Sequence, residues 1–232
     1  MNNKVIFGLT ALLALLLIAP AQASMVLNNV ILHFEPGKST RQDIEIENTG
    51  DTTMYVQVRP HRVLNPGTEQ EAREYIADPR EAGLLVTPNK LVVPPRGRKL
   101  LRFVDLKPGN ASERVYRVAV TPVVGELEAQ ASGLKILVGY EVLVLAQPST
   151  PTPQLKAERR GQKMFFRNDG NTNVLLREGR QCPADDTASE DCTVLGAKRL
   201  YPGNEWILEL PYDRPLEYHI GIGTRSSVEI WP

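Results

Sequence analysis

The residues best suited to chemistry in this chain are two cysteines and three histidines, and they do not form a catalytic pattern. Cys182 and Cys192 bound a short acidic stretch, whereas His33, His61 and His219 lie far from them in sequence. A structural metal site needs further cysteine or histidine ligands at short spacing. The sequence also contains no nucleophile elbow, zinc-protease motif or phosphate-binding loop. We therefore expect no enzyme, no cofactor and no metal site.

The first 23 residues have the composition of a cleavable export signal. The start MNNK is basic, residues 5–20 are apolar, and Ala21-Gln22-Ala23 is a small-x-small cleavage site. The apolar run is shorter than the ~20 residues that span a bilayer, so we expect no stable membrane insertion. In an exported protein, the pair Cys182 and Cys192 is expected to form a disulfide.

The charge balance argues against a nucleic-acid partner. Lys and Arg total 27, and Asp and Glu also total 27. A nucleic-acid-binding protein is expected to carry a basic patch or stripe, and none is evident here.

Strands separated by turns account for most of the sequence. Segments such as DIEIEN, MYVQVRP and RVYRVAV alternate apolar and polar residues, and NTGD, NPG and KPGN punctuate them. Only Glu69–Ile76 (EQEAREYI) has modest helical composition, and we expect a loop or one helical turn there. The similar stretches IEIENTGDTTMYVQVR and MFFRNDGNTNVLLREG suggest two related halves. The pattern predicts an all-β chain of two immunoglobulin-like β-sandwiches in tandem.

A proline-rich stretch, QPSTPTPQ, lies between the two halves. Its prolines cannot continue the interior of a sheet and favour an extended spacer. The expected division is a signal peptide at 1–23, an N-terminal domain at 24–148, a linker at 149–154 and a C-terminal domain with a disulfide loop at 155–232.

The stretch GLKILVGYEVLVLAQP, residues 133–148, is unusually long for a strand. Every second residue from Leu134 to Val144 is apolar or aromatic, so one face of such a strand would be continuously apolar. Strands usually run about 5–6 residues, and this stretch has room for about twice that. Periodicity alone assigns no use to the extra length.

The order of these features resembles the periplasmic pilus (fimbrial) chaperones of the chaperone–usher pathway, in the alternate (alpha) branch of common-pilus and colonisation-factor type. GLLVTPNKLVVPPRGRKLLRFVDL, ERVYRVAV and LKILVGYEVLVLAQP resemble the strand D segment, strand F and strand G of the first domain. FFRNDGNTNVLL and the cysteine pair resemble the second domain. The resemblance implies a boomerang-like pair of domains in the periplasm. It also implies a chaperone that binds pilus subunits and delivers them to an outer-membrane usher.

The resemblance also implies a use for the long strand. In that family the chaperone lends strand G to a subunit whose immunoglobulin-like fold lacks its last strand, as in β-augmentation. The expected donor residues are Leu134, Ile136, Val138, Tyr140 and Val142. An unoccupied donor strand is an aggregation hazard, so a self-capping dimer is a further expectation.

Many family members hold the C-terminal carboxylate of the subunit with an Arg on the first strand and a Lys near the end of strand G. Ile31 and Leu143 stand at those positions here, and neither binds a carboxylate by charge. The candidate anchors are Arg102, Arg117 and Lys135, which lie on or beside strands expected to line the interdomain cleft. Arg is suited to forked carboxylate recognition. A structural ion pair is the alternative for Arg102 and Arg117.

Two other functions compete with the chaperone. A structural pilus subunit or adhesin should carry its own N-terminal donor extension and a single incomplete domain, whereas this chain has a second domain. A two-domain carbohydrate-binding module should have clustered exposed aromatic residues. Trp206 and Trp231 are far apart in sequence, and aromatic residues make up only 6% of the chain. The order of features favours the chaperone.

Overall fold

The computed structural model describes residues 25–123, 137–183 and 191–232, which consist mainly of strands and turns. The signal-like residues 1–23 therefore lie outside the described part of the chain. Within the described part, no helix is both long and apolar enough to cross a membrane.

The first half is a sandwich of two sheets. Sheet I has the strand order β1-β3-β8-β6, and sheet II has the order β2-β10-β9-β4-β5, with β7 also pairing with β4. The β2–β10 pairing is parallel. The elements are β1 (Met25–Leu27), β2 (Ile31–Phe34), β3 (Arg41–Asn48), β4 (Met54–Leu64), β5 (Ala72–Tyr75), α1 (Pro79–Ala82), β6 (Leu84–Thr87), β7 (Lys90–Val93), β8 (Arg98–Asp105), β9 (Arg114–Val123) and β10 (Tyr140–Ala146).

The second half is a smaller sandwich. Sheet III has the order β11-β12-β16, and sheet IV has the order β14-β13-β17-β18, with β15 also pairing with β13. A disulfide joins Cys182 and Cys192, as predicted. The elements are β11 (Leu155–Arg160), β12 (Lys163–Asn168), β13 (Val174–Gln181), β14 (Thr193–Leu195), β15 (Lys198–Leu200), β16 (Glu205–Glu209), β17 (Leu216–Ile222) and β18 (Arg225–Trp231).

Each sandwich has its own core, because alternate residues of the facing sheets point inward. In the first half, Ile44 and Ile46 of β3 face Val118 and Val120 of β9, and all four are fully buried. The second core is built around aromatic rings (Phe166, Trp206, Tyr218 and Trp231). The all-β architecture of two sandwiches predicted from the sequence is confirmed.

The expectation of a loop or helical turn at Glu69–Ile76 was wrong in part. Residues 72–75 form β5, which pairs with β4 from His61↔Tyr75 to Leu64↔Ala72. Backbone pairing with a long neighbouring strand outweighs the weak helical preference of these side chains.

Glu113 connects the two halves at the start of β9. Its carboxylate accepts hydrogen bonds from Thr172 Oγ1 at 2.7 Å and from the Asn173 Nδ2 amide at 2.8 Å. Its backbone amide donates to the Asn171 carbonyl oxygen at 2.9 Å. Burial raises the pKa of the Glu113 carboxyl, against the opposing effect of these hydrogen bonds and of the nearby Arg199.

Two further contacts join the halves. Tyr201 packs with Val115, Leu143 and Leu145 of the first half in a small apolar cluster. The Glu35 carboxylate accepts the backbone N–H of Thr224 at 2.7 Å, in the turn between β17 and β18. The cleft between the halves is therefore lined by both sheets II and IV.

The buried carboxyl of Glu113 gives a pH-dependent stability that E113Q should remove. The folded protein holds the Glu113 proton more tightly than the unfolded chain, so its contribution is complete below the ordinary glutamate pKa and is lost as the pH rises through the raised pKa. The difference in free energy of unfolding between wild type and E113Q should therefore fall as the pH rises. Urea unfolding at a series of pH values measures it, and a difference that is flat with pH would contradict this assignment.

Candidate functional site

Strand β10 is paired on both sides over only part of its length. All of it, Tyr140–Ala146, pairs with β9, but only residues 143–146 pair with β2. The Leu143 amide donates to the Val30 carbonyl oxygen at 2.9 Å, which begins the β2 pairing. Among the described strands, none pairs with residues 140–142 on the β2 side. Because strand N–H groups alternate in direction, the Glu141 amide points to this open side, as the Leu143 amide does.

One face of β10 leaves the core of the first sandwich as it is followed toward the N-terminus. Val144 and Val142 are fully buried, Tyr140 is partly buried, and Val138 is 48% exposed. The Tyr140 hydroxyl donates to the Met25 carbonyl oxygen of β1 at 3.0 Å, at the edge of the sandwich. Tyr140 therefore marks the boundary between the part of this face that serves its own core and the part that does not.

The predicted donor residues fall on both sides of that boundary. Val138 lies outside the core, whereas Val142, which the sequence analysis included, packs within it at 0% exposure. Val142 has the right periodicity but is already used by its own domain, so we omit it from the binding surface. Leu134 and Ile136 lie outside the described residues, as does the candidate anchor Lys135.

The positions expected to hold a carboxylate anchor lie side by side. Leu143 of β10 is the register partner of Ile31 in β2 and of Arg117 in β9. Cross-strand partners share a face of the sheet, so Arg117 lies directly beside the position where a family lysine was expected. The Arg117 side chain is half-buried, and no hydrogen bond or ion pair links it to another described residue. Its cation is one strand away from the place suggested by the family pattern.

Arg102 lies in a different environment. On sheet I, its guanidinium donates from Nε to Asp43 Oδ1 at 2.9 Å and from Nη2 to Asp43 Oδ2 at 3.2 Å. These hydrogen bonds, together with a further pair from Arg41, hold the pKa of the Asp43 carboxyl well below its usual range. Arg102 is thus engaged in the structural ion pair considered above, on the sheet that does not contain β10.

The structure also brings in an arginine that sequence reasoning missed. Arg199 lies on β15 and is half-buried, and its Nη1 donates to Asn173 Oδ1, whose own amide holds Glu113. Burial lowers the pKa of Arg199, opposed by the charges of Tyr201 and Glu113 and assisted by that of Arg117. The sequence GAKRLYPG looks like an exposed basic turn, and no local pattern reveals that residue 199 faces the other half.

The histidines do not form a catalytic or metal site. His33 lies on β2, His61 on β4, and His219 on β17, where its Nδ1 is 3.3 Å from the Glu178 carboxylate. No group of three or more His, Cys, Asp or Glu side chains within the described ranges is arranged to hold a metal ion.

Comparison with known proteins places this geometry among fimbrial proteins. No protein-family model matches the sequence. A CS1 fimbrial protein of Escherichia coli, named as one of the CS1 fimbrial subunits, is 28% identical over 195 residues, covering 80% of each chain. A CFA/I fimbrial protein of Escherichia coli, likewise named as a fimbrial subunit, is 25% identical over 196 residues, covering 81% of each.

Solved structures give the same picture for the fold. The class 5 fimbriae chaperone CfaA matches with a TM-score of 0.62 and 18% identity, over 89% of this chain and 98% of that one. A chain from the Salmonella enterica complex of SafA pilin with the SafB chaperone matches with a TM-score of 0.64 and 15% identity, over 92% and 98%. The predicted resemblance is confirmed: the chain has the two-domain immunoglobulin-like fold of the pilus chaperones of the chaperone–usher pathway.

Proposed function

We propose that this protein is a periplasmic chaperone that binds pilus subunits by donating the N-terminal part of β10 and the residues before it, and that it delivers them to an outer-membrane usher. The observation that carries the proposal is the half-open strand β10, whose free edge coincides with the point where its apolar face leaves the core.

The backbone of this edge is suited to accept another strand. Residues 140–142 are held in extended conformation by β9 on one side and lack a described partner strand on the other. An edge of this kind pairs readily with a chain that has an unpaired strand of its own. Main-chain hydrogen bonds then provide affinity, and alternate side chains provide specificity.

The side chains add the larger part of the binding energy. Burying a large aliphatic side chain contributes about 1.5–3 kcal/mol, compared with about 1 kcal/mol net for one hydrogen bond. Val138 is available for such burial, and Leu134 and Ile136 share its strand parity in the sequence. We therefore propose Leu134, Ile136 and Val138 as the inserted residues, with Tyr140 at the boundary.

Arg117 is the proposed anchor for the C-terminal carboxylate of the subunit. It lies beside Leu143, at the junction between the open and the paired parts of β10. A carboxylate bound there would fix the register of the subunit strand along β10. Lys135 stays a candidate from the sequence analysis.

A separate surface of sheet II suits the usher. Val92, Tyr55 and Val123 are cross-strand neighbours on β7, β4 and β9, and each is more than 40% exposed. This apolar row lies at the end of β4 opposite Val63, which packs with Tyr201 of the second half. A pilus subunit bound to β10 would leave the row accessible.

The competing functions have less support. Trp206 and Trp231 pack around Phe166 with ring centroids 5.5 and 5.4 Å away, so they do not form an exposed platform for a sugar ring. A pilus subunit lacks the last strand of its sandwich, whereas β10 completes sheet II of this chain. Self-capping through the same open edge by a second copy is retained as an expectation for the free protein.

Replacing Val138 by Asp should abolish subunit protection without unfolding the chaperone. The substitution places a charge in the apolar groove of the subunit, whereas in the free protein Val138 is 48% exposed. Periplasmic recovery of a subunit co-expressed from the same operon measures protection. V194D is the matched control, because Val194 is 82% exposed on the second half. Normal recovery with V138D would contradict donor-strand binding.

Replacing Arg117 by Ala should reduce the affinity for the subunit by about tenfold or more, the equivalent of losing a charge-assisted hydrogen bond. R102A and R98A should bind like the wild type, because Arg102 is engaged by Asp43, and Arg98 lies near Glu45 and Glu47 on the same sheet I. Co-purification of tagged chaperone with the subunit measures the effect. Equal recovery with R117A and R98A would exclude Arg117 as the anchor.

A further inference from the structure

The cleft contains one arginine from each half of the molecule. Arg117 projects from the face of β9 that also carries Val115, two residues earlier. Val115 packs with Tyr201, which follows Arg199 by two residues in the second half. Residues two apart on a strand share a face, so the faces that carry Arg117 and Arg199 meet across this apolar contact.

Other charged groups at this contact are already occupied or are not cationic. Glu113 is engaged by Thr172 and by the side-chain amide of Asn173. His33, which neighbours Leu145 on β2, has a pKa lowered by burial and then by the charge of Arg199, so it is neutral near pH 7. Glu71, on the β4–β5 connection, accepts the backbone N–H of Gly67 at 2.8 Å.

The two guanidinium groups retain most of their donor capacity. A guanidinium has five N–H donors, and the hydrogen bond described for Arg199 uses Nη1 toward Asn173. Arg117 acts on both Arg199 and Tyr201 electrostatically, and it disfavours the charge on Arg199. An anion placed between the two arginines would relieve this repulsion and satisfy donors on both.

We propose that Arg199 joins Arg117 in binding the C-terminal carboxylate of the subunit, so that the carboxylate site is shared between the two halves of the chaperone. This inference rests on the proposed function above. It assigns the second half a direct part in binding: with Ile31 and Leu143 unable to supply charge, a residue of the second domain completes the anchor. Forked donors on two sides of a carboxylate give both charge and orientation.

The test uses the full mature protein and an N-acetylated tripeptide, in one form with a free C-terminal carboxylate and in another with a C-terminal amide. Binding is followed through the NMR signals of the arginine Nε–H groups. The free acid should shift the signals of both Arg117 and Arg199, and the amide should shift neither. R117Q and R199Q should each weaken binding of the acid about tenfold, and R98Q should bind like the wild type.

R199K separates ligand binding from support of the interface. It keeps the positive charge but loses the fork, so it should bind the acid with intermediate affinity while its thermal midpoint stays close to that of the wild type. Equal shifts with acid and amide, no shift at Arg199, or wild-type affinity of R199Q would each overturn the inference.

The proposed function can fail separately from this inference. V138D should bind the tripeptide normally, because the tripeptide does not use the donor strand. If V138D still protects subunits while the acid binds between the arginines, donor-strand binding is wrong and the carboxylate site stands. If V138D loses protection while the acid does not bind, only the shared site is wrong.

Discussion

The pairing of β10 is the constraint on which the rest of the structure depends. The first strand of the chain changes sheets: β1 pairs with β3 in sheet I, and β2 pairs with β10 in sheet II. The connection between them is held by Asn28, whose Oδ1 accepts the Glu45 amide at 2.9 Å, and by Asn29, whose Oδ1 accepts the Ile31 amide at 3.0 Å. Because β2 reaches β10 only at Leu143, the edge before that residue stays open.

The paired part of β10 gives the open part a rigid base. Val142 and Val144 pack in the first core, and Leu143 and Leu145 pack toward Tyr201 of the second half, so both faces of the strand are buried there. A donor segment that extends from such a base loses less conformational freedom on binding than a free loop would. The same arrangement places the anchor arginines where the strand changes from open to paired.

The sequence predicted the architecture well because its signals are local. Alternation, turn residues and the spacing of Cys182 and Cys192 suffice for two β-sandwiches and a disulfide. Periodicity also identified the apolar face of the long strand. It could not show where that face leaves the core, which depends on the end of the neighbouring strands, so Val142 was included among the donor residues. Arg199 was missed because its burial arises from contact with the other half, and β5 was missed because its partner strand decides its conformation.

Backbone hydrogen exchange in the presence and absence of a bound pilus subunit tests the central claim most directly. The Glu141 amide faces the open edge, while the Leu143 amide, on the same side, already donates to Val30 at 2.9 Å and serves as an internal control. Donor-strand binding predicts that exchange at Glu141 slows markedly in the complex while exchange at Leu143 changes little. Unchanged exchange at Glu141 in a complex shown to be intact would contradict the account.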